Sequence, residues 1–145
     1  MSKKVVLAFS GGLDTSFCVP YLKEKGYEVH TVMVNTGGFS AEEEKAIEER
    51  ALTLGAASHK NVNAVDTYYN KGIRYLIYGN ILKNATYPLS VSSERVFQAL
   101  EVLNHVKALG ADAVAHGSTG AGNDQVRFDI VFEILAPEVE IIAPV

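Results

Sequence analysis

The sequence predicts an α/β domain built around a doubly wound parallel sheet of about five strands. Apolar runs alternate along the chain with segments that have helical spacing. Two glycine-rich loops each follow an apolar run and precede a helical segment. The chain has 145 residues, 48% hydrophobic and 21% charged, which is enough for one domain with a substantial core. Parallel strands joined by crossover helices favour this architecture.

The chain begins with a strand, a helix and a second strand. The first strand is predicted over residues 4–9 and leads into a helix over residues 15–25. Gly26 suits the position just after a helix, where a left-handed backbone is common. The second strand is predicted over residues 29–35.

The second helix has a start signal, an apolar face and an end signal. Ser40 and Glu43 have the spacing of a capping box, and Gly55 is suited to end the helix. Its predicted apolar face is formed by Ile47, Ala51 and Leu54.

The remaining elements complete the alternation of strands and helices. Strands are predicted over residues 58–63, 113–115 and 139–142, and helices over residues 66–82 and 93–109. The latter helix has apolar residues at helical spacing: Val96, Ala99, Leu100, Leu103 and Val106. Gly110 closes it. A last helix is predicted after the second glycine-rich loop, with one apolar face formed by Val126, Ile130, Val131, Ile134 and Leu135.

The first glycine-rich loop, residues 9–16, predicts a phosphate site. Gly11 and Gly12 have no Cβ, so the backbone turns tightly and approaches an anion closely. The opening turn of the next helix contains Asp14, Thr15 and Ser16. At this end of a helix the first N–H groups lack intrahelical acceptors and the helix dipole is positive. The hydroxyl of Ser10 adds a further donor.

The pattern of this loop differs from two common phosphate motifs. It lacks the lysine of the Walker pattern and the three glycines of the dinucleotide pattern. The order Ser-Gly-Gly-x-Asp-Thr-Ser over residues 10–16 instead resembles the PP-loop of the ATP pyrophosphatases.

The second glycine-rich loop and the helix start after it, residues 116–128, have the chemistry of a site that reads a small zwitterion. Asp124 is able to hold an ammonium group, and Arg127 a carboxylate in bidentate fashion. Asn123 or Asp124 is also suited to cap the helix that follows. Ligands in open α/β sheets bind at the carboxyl ends of strands, where this loop is expected to lie.

Together these segments resemble the argininosuccinate synthase family. Residues 8–16 resemble its ATP motif, residues 87–92 its citrulline loop, and residues 117–128 its signature sequence. The resemblance runs along the whole chain but covers only about the N-terminal third of the family.

The resemblance implies a fold and a reaction. The fold is that of the adenine-nucleotide α-hydrolase-like PP-loop ATPases, with an ATP-binding domain over residues 1–145 and without the family's C-terminal synthetase and oligomerisation domain. The reaction joins citrulline to aspartate with ATP and Mg²⁺ through a citrullyl-AMP intermediate, releasing AMP and pyrophosphate. The intact family enzyme is expected to be a homo-tetramer, and the isolated chain is expected to be inactive.

The resemblance also implies residue roles. ATP is assigned to Ala8, Phe9, Ser10, Gly11, Gly12, Leu13, Asp14, Thr15, Ser16, Val34 and Gly117. Citrulline is assigned to Tyr87, Ser92, Asn123 and Arg127, and aspartate to Thr119, Asn123 and Asp124. The mechanism works by positioning and needs no covalent nucleophile; Asp14 is the one candidate for a catalytic role, by orienting the turn or organising Mg²⁺. No set of side-chain metal ligands is predicted.

The chain departs from the family pattern at three positions. Gly38 stands where the family commonly has Gln, Ala121 where many members have Lys, and Val96, after Arg95, where members have Pro. The loop over residues 35–39 is expected to lie beside the first glycine-rich loop, because sequential strands are usually neighbours.

Charge and cysteine content exclude other classes of function. The net charge is −4 with no basic run, which argues against nucleic acid as a partner and against the RNA-modifying PP-loop enzymes. Cys18 is the single cysteine, so an internal disulfide and a Cys-x-x-Cys site are excluded, and it is predicted to lie on a buried helix face. No signal peptide or membrane-spanning run is visible, so a cytoplasmic protein without a membrane partner is expected.

Two alternatives to this function are left open by the residues. One is a different PP-loop ATP pyrophosphatase, and the other is a non-catalytic nucleotide-binding module or one subunit of a split enzyme.

Among the histidines, His30 and His59 are predicted at the surface or a strand edge, His105 in a structural role, and His116 in shaping the second loop.

Overall fold

A computed structural model of the chain describes residues 2–120 and 122–145, apart from the side chain of Lys83. Its elements, in chain order, are β1 (Lys4–Ala8), α1 (Leu13–Glu24), β2 (Glu28–Asn35), α2 (Ala41–Thr53), β3 (Ser58–Asn63), α3 (Val65–Tyr68), a π-helical turn (Tyr69–Ile73), α4 (Arg74–Tyr78), β4 (Leu82–Lys83), β5 (Tyr87–Pro88), α5 (Ser90–Leu109), β6 (Ala113–His116), α6 (Asn123–Leu135) and β7 (Glu140–Ile142).

The centre of the molecule is a five-stranded parallel sheet with the order β3-β2-β1-β6-β7. In its register Val5 of β1 lies between Val29 of β2 and Ala113 of β6. The strand order reverses at β1, so the loops after β1 and β6 leave the sheet in opposite directions and open a crevice between them. The prediction of a parallel sheet of about five strands is confirmed.

Helices cover both faces of the sheet, as the doubly wound prediction requires. Helices α1 and α2 pack on the face that carries Val5 and Leu7, and Cys18 of α1 is fully buried there as predicted. Helices α5 and α6 pack on the opposite face, which carries Val6 and Val114. Alternate residues of β1 therefore enter different cores, which is why the strand reads as an unbroken apolar run.

The predicted helix signals are present in the structure. The hydroxyl of Ser40 accepts a hydrogen bond from the Glu43 N–H, and the Glu43 carboxylate accepts one from the Ser40 N–H, forming the capping box of α2. Hydrogen bonds from Ser40 hold the pKa of Glu43 below its usual value. Gly110 ends α5 with φ +58°, in the left-handed region that favours glycine.

Two predicted helical patterns are wrong in detail. The helix expected over residues 66–82 is divided into α3, the π-helical turn and α4, and a two-stranded hairpin of β4 and β5 follows it. The apolar face expected on α6 is largely exposed at Val126, Ile130, Ile134 and Leu135, and only Val131 packs against the core. The buried face is instead formed by Phe128 and Phe132, because their larger rings fill the space beside His116.

The prediction that His30 lies at the surface or a strand edge is also wrong, because β2 is an inner strand of the sheet. His30 is buried in β2, and its ring nitrogens bond the Ser58 hydroxyl at 2.8 Å and the Glu28 carboxylate at 3.0 Å. His59 is half-buried and its ring nitrogens bond Thr31 and Asn61. These partners lie on the same strand or across the strand pair, which makes a polar residue acceptable inside the sheet.

Among the described residues, no helix has the length and apolar character needed to cross a membrane.

Candidate functional site

A cleft of about 920 Å³ opens at the carboxyl ends of β1, β2 and β6. Most of the residues predicted to form the site line it: Ala8, Phe9, Ser10, Gly12, Leu13, Asp14, Thr15, Val34, Tyr87, Gly117, Thr119, Asn123, Asp124 and Arg127. Three predicted residues are not part of the lining: Gly11, Ser16 and Ser92. The cleft lies at the position where the strand order reverses, which is where open α/β sheets bind ligands.

The loop after β1 presents the N-terminus of α1 to the cleft. Gly11 has φ +73°, and the extended Gly12 precedes the helix without a side-chain cap. The Ser16 N–H donates to the Gly12 carbonyl at 2.9 Å. Helix geometry therefore leaves the N–H groups of Leu13, Asp14 and Thr15 without intrahelical acceptors. Such an end attracts anions.

The hydroxyls of this loop are held only by long hydrogen bonds. The Ser10 N–H reaches the Thr15 hydroxyl at 3.4 Å, the Gly12 N–H reaches the Ser10 hydroxyl at 3.4 Å, and the two hydroxyl oxygens lie 3.3 Å apart. Strong N–H···O bonds are shorter than about 3.2 Å. These donors are therefore available to an incoming acceptor that offers better geometry.

The loops after β1 and β6 touch each other at Gly117. A Cβ at this position would lie 3.0 Å from the Thr15 Cγ2 atom and 3.1 Å from the Thr15 backbone nitrogen. Real Cβ contacts are rarely so tight, so glycine is needed for the second loop to lie directly on the opening turn of α1.

His116 fixes the start of the second loop. It is 1% exposed and stacks on Phe128 with 5.6 Å between ring centroids. The Ser118 N–H donates to its Nδ1 at 3.2 Å, so its Nε2 carries the proton and donates to the Asp129 carboxylate at 2.9 Å. This geometry agrees with the prediction that His116 shapes the loop.

Asp124 lies between two arginines at the start of α6. Its Oδ2 accepts from Arg95 Nε at 3.0 Å, and its Oδ1 accepts from Arg127 Nη1 at 2.7 Å. Arg127 Nη2 also donates to the Ser92 hydroxyl at 3.0 Å. Burial opposes ionisation of Asp124, but the hydrogen bonds and charges of both arginines outweigh it and hold its pKa below the usual value.

The expectation that Asn123 or Asp124 caps α6 is wrong. The N-cap is Gly122, without a side-chain capping bond, because the Asp124 carboxylate is engaged by the arginines. Asp124 is instead the second residue of the helix, where its charge still favours the dipole.

A polar network continues from Arg95 across the cleft. Arg95 Nη1 donates to Gln98, Gln98 donates to Glu94, and the Thr36 hydroxyl donates to the same Glu94 oxygen at 2.6 Å. The network joins the loop after β2 to α6. The role of Glu94 and Gln98 was not predicted, although their polar character at helical spacing near the start of α5 was visible in the sequence.

The loop after β2 is ordered by Asn35. Its side-chain amide donates to the Phe39 carbonyl at 2.8 Å and to Glu44 at 2.7 Å, and its oxygen accepts from the Gly37 N–H at 2.8 Å. Since β2 pairs with β1, this loop lies beside the first glycine-rich loop as predicted, with Gly38 in the cleft lining.

The remaining residues predicted to form the site differ in their exposure to solvent. Thr119 and Asn123 are exposed in the lining, Tyr87 is exposed at the hairpin, and Val34 is buried at the end of β2. Ala121, where many family members have lysine, lies outside the described residues. Within those residues, no group of three or more His, Cys, Asp or Glu side chains is arranged to hold a metal ion.

Comparison with known proteins identifies the family. The family model described as the arginosuccinate synthase N-terminal HUP domain matches residues 4–145. This chain belongs to the argininosuccinate synthase family. The argininosuccinate synthase of Xylella fastidiosa is 49% identical over 144 residues, which are 99% of this chain and 35% of that protein. The argininosuccinate synthase of Saccharolobus solfataricus is 47% identical over 142 residues, which are 97% of this chain and 36% of that protein.

Solved structures with the same fold are more distant in sequence. A structure described as a predicted subunit of tRNA methyltransferase from Methanocaldococcus jannaschii has a TM-score of 0.61 and 22% identity, covering 98% of this chain and 67% of that one. NMN synthetase from Francisella tularensis has a TM-score of 0.61 and 9% identity, covering 81% of this chain and 46% of that one. These likenesses concern the fold alone. The chain spans about a third of the length of the argininosuccinate synthases that it matches.

Proposed function

We propose that this chain is the ATP-binding part of an argininosuccinate synthase, which joins citrulline to aspartate through citrullyl-AMP and releases AMP and pyrophosphate. The observation that carries this proposal is the contact of the two glycine-rich loops at Gly117 and Thr15. Because of this contact, an anion-binding helix end and a cluster of charged side chains share one cleft. A reaction between a nucleotide and an amino acid requires such a shared cleft.

The β- and γ-phosphates of ATP fit the loop after β1. The N–H groups at the start of α1 and the hydroxyls of Ser10 and Thr15 are donors whose present bonds are long. The backbone near Val34, at the end of β2, is the proposed contact for adenine. The α-phosphate then lies towards the second loop, near Gly117.

The amino acids fit the cluster around Asp124 and Arg127 by exchange of ionic partners. A citrulline carboxylate takes the place of Asp124 on the Arg127 guanidinium, and the Ser92 hydroxyl, Asn123 and Tyr87 complete its site. The Asp124 carboxylate, released from Arg127 and still bonded to Arg95, binds the ammonium group of aspartate, together with Thr119 and Asn123. The exchange replaces each charge-assisted bond with another.

Magnesium fits the charge of the cleft. The described lining contains the carboxylates of Asp14, Glu94 and Asp124 and the guanidinium groups of Arg95 and Arg127, so it offers no excess positive charge to a polyphosphate. A divalent cation bound to the phosphates supplies that charge when present, with Asp14 as the nearest carboxylate of the first loop.

An RNA substrate has less support than a nucleotide and two amino acids. The Methanocaldococcus jannaschii neighbour is described as a tRNA methyltransferase subunit, but its likeness to this chain concerns the fold. This chain carries a net charge of −4, whereas surfaces that bind nucleic acid are usually basic.

In the proposed reaction the ureido oxygen of citrulline attacks the α-phosphorus of ATP and the bond to pyrophosphate breaks. The aspartate ammonium group then loses a proton to water, and the resulting amine attacks the activated ureido carbon. AMP leaves, and the attacking nitrogen loses a second proton. The described residues contribute alignment and fixed dipoles rather than a covalent nucleophile.

Calorimetric titration with Mg²⁺ and ATP tests the nucleotide half of the proposal. We expect the chain to bind, and Asp14→Ala to weaken binding about 10-fold, the factor of one missing charge-assisted contact. Asp66→Ala removes the same group from α3, outside the cleft lining, and serves as the control. Equal affinity in wild type and Asp14→Ala would remove Asp14 from the site.

A second titration addresses the substrate class. Citrulline is added to the chain in the presence of a non-hydrolysable ATP analogue, and glutamine is the comparison ligand. Binding of citrulline but not glutamine supports argininosuccinate synthase over another PP-loop pyrophosphatase. Absence of citrulline binding by a chain that binds the analogue favours the nucleotide-binding module instead.

A further inference from the structure

Helix α2 contacts the first glycine-rich loop from behind, on the side away from the cleft. The guanidinium of Arg50 donates a hydrogen bond from Nη1 to the Gly11 carbonyl. One turn earlier on the same helix, the Ile47 side chain lies under Gly11, where an added Cβ would be 3.0 Å from its Cγ1 atom. Gly11 is buried between these two side chains and is absent from the cleft lining.

The geometry of a peptide unit makes the Arg50 contact relevant to the cleft. The Gly11 carbonyl and the Gly12 N–H belong to one peptide plane, and the described peptide bonds include no cis form. In a trans peptide these two groups point in opposite directions. A donor that holds the carbonyl towards α2 therefore directs the Gly12 N–H towards the Ser10 hydroxyl, on the side where an anion binds.

A glycine pair needs such an external constraint. Gly11 has φ +73°, and glycine adopts positive and negative φ about equally readily, so the plane between Gly11 and Gly12 is not fixed by local sterics. The Gly12 N–H bond to the Ser10 hydroxyl is 3.4 Å long and is too weak to fix it alone.

Helix α2 is a firm support for this contact. Ile47 and Ala51 are buried in the core beneath β1, and the capping box of Ser40 and Glu43 fixes the start of the helix. The Glu44 carboxylate also binds the Asn35 amide, which ties α2 to the end of β2. The backbone that carries Arg50 is therefore held in place relative to the sheet.

We propose that Arg50 is a positioning residue for phosphate binding, which acts by fixing the Gly11–Gly12 peptide plane so that the Gly12 N–H faces the pyrophosphate group of ATP. The proposal rests on the proposed ATP site. Arg50 acts through the backbone and does not itself contact the nucleotide, so the hydrogen bond matters more than the charge.

The first experiment measures the bond before any phosphate is added. The carbonyl ¹³C shift of Gly11 and the amide shift of Gly12 are recorded by NMR in wild type, Arg50→Ala, Arg50→Gln and Lys45→Ala. Gln retains an amide donor without the charge, and Lys45→Ala removes a cation from α2 outside the loop contact. We expect both shifts to move in Arg50→Ala and to stay close to wild type in Lys45→Ala. Unchanged shifts in a folded Arg50→Ala protein would overturn the proposal whether or not the chain binds ATP.

The second experiment measures binding of inorganic pyrophosphate and of adenosine to the same proteins. We expect Arg50→Ala to weaken pyrophosphate binding about 10-fold, with adenosine affinity within about 2-fold of wild type, as the loss of one donor contact predicts. Arg50→Gln is expected to recover part of this loss and Lys45→Ala to show none. Equal pyrophosphate affinity in Arg50→Ala and wild type would contradict the proposal, and so would equal losses for pyrophosphate and adenosine. A wild-type chain that binds no pyrophosphate would instead contradict the proposed function.

Discussion

The two glycine-rich loops lie in contact, yet they present different chemistry to the cleft. The loop after β1 offers backbone N–H groups and hydroxyls joined by bonds of 3.3–3.4 Å. The loop after β6 leads to full charges that are already paired, with Asp124 at 2.7 Å and 3.0 Å from two arginines. An anion therefore adds to the first loop without displacing a strong bond. A ligand at the charges after β6 must displace charge-assisted hydrogen bonds that are already made, so it binds well only if it replaces them with bonds of its own.

The largest expected effect is slow formation of argininosuccinate by a chain that still binds ATP. We expect the 145-residue chain to bind ATP but to form argininosuccinate at least about 100-fold more slowly than the intact Xylella fastidiosa relative, because small misplacements of reacting groups cost that much. The chain spans 35% of that relative, so the assay compares this part with the whole. AMP and argininosuccinate are measured under identical conditions. Turnover equal to that of the intact relative would show that both loops suffice for the reaction.

The second prediction concerns the contact between the two glycine-rich loops at Gly117. Gly117→Ala introduces a Cβ 3.0–3.1 Å from Thr15, so the loops must move apart. We expect a loss of about 1–3 kcal/mol in the free energy of unfolding, as for other overpacked sites, and weaker ATP binding. Chemical denaturation and calorimetry measure the two effects.

Gly38→Ala is the matched control for this change. Gly38 also lines the cleft, but a Cβ there meets nothing within 4 Å. Its stability and ATP affinity are expected to stay close to wild type. Similar losses in both variants would mean that backbone freedom, rather than contact between the loops, explains the need for glycine.

A third pair of changes tests the two halves of the Asp124–Arg127 ion pair in a full-length protein that contains this chain. Arg127→Lys keeps the charge and loses the planar fork, so we expect the citrulline KM to rise about 10-fold and the ATP KM to change less. Asp124→Asn removes the counter-charge for an ammonium group and is expected to impair chiefly the use of aspartate. Steady-state kinetics with each substrate varied in turn distinguishes these outcomes. An equal rise in all three KM values would indicate a structural role.

The smallest expected effect is the pH dependence of the cluster. The pKa of Asp124 is lower in the folded chain than its ordinary value. Ionisation of Asp124 therefore stabilises the fold at pH values above the ordinary pKa of an aspartate, and this contribution disappears as the pH falls through the lowered pKa of the folded chain. The Asp124 side chain is 41% exposed, so solvent screening keeps the effect modest. We expect the stability difference between wild type and Asp124→Asn to be fully present above the ordinary pKa of an aspartate and to shrink as the pH falls from there through the lowered pKa of the folded chain. Thermal unfolding measures it, and a constant difference would contradict the assignment.

The fold could be predicted well from the sequence because its main signals are local. Apolar runs such as Val5-Val6-Leu7 identify strands buried on both faces, and glycines and the Ser40–Glu43 pair mark helix ends. His30 was misassigned because the partner that accepts or donates across the sheet, Ser58, is remote in sequence. On α6, aliphatic and aromatic residues both recur at helical spacing, so periodicity did not distinguish the buried face from the exposed one.

The two parts of the candidate site, the first glycine-rich loop and the charged side chains around Asp124, could not be predicted equally well from the sequence. The first loop is a contiguous motif, so its position at the start of α1 could be predicted from the sequence, although Gly11 and Ser16 lie outside the cleft lining. The pairing of Asp124 with Arg95, and the link from Glu94 to Thr36, join α5 to two other segments. Such contacts depend on how the helices pack, and no local pattern specifies them.

The pairing of Asp124 with Arg127 also bears on competition by simple ions. Chloride or inorganic phosphate binding at Arg127 alone would break the 2.7 Å bond to Asp124 and leave that carboxylate with Arg95, and a free amine at Asp124 would take the carboxylate away from Arg127. Each lone ion therefore replaces only one side of this bond, whereas a carboxylate on Arg127 together with an ammonium group on Asp124 replaces both sides. An anion at Arg127 must displace a carboxylate that is already in place, whereas an anion at the start of α1 displaces only hydrogen bonds of 3.3–3.4 Å.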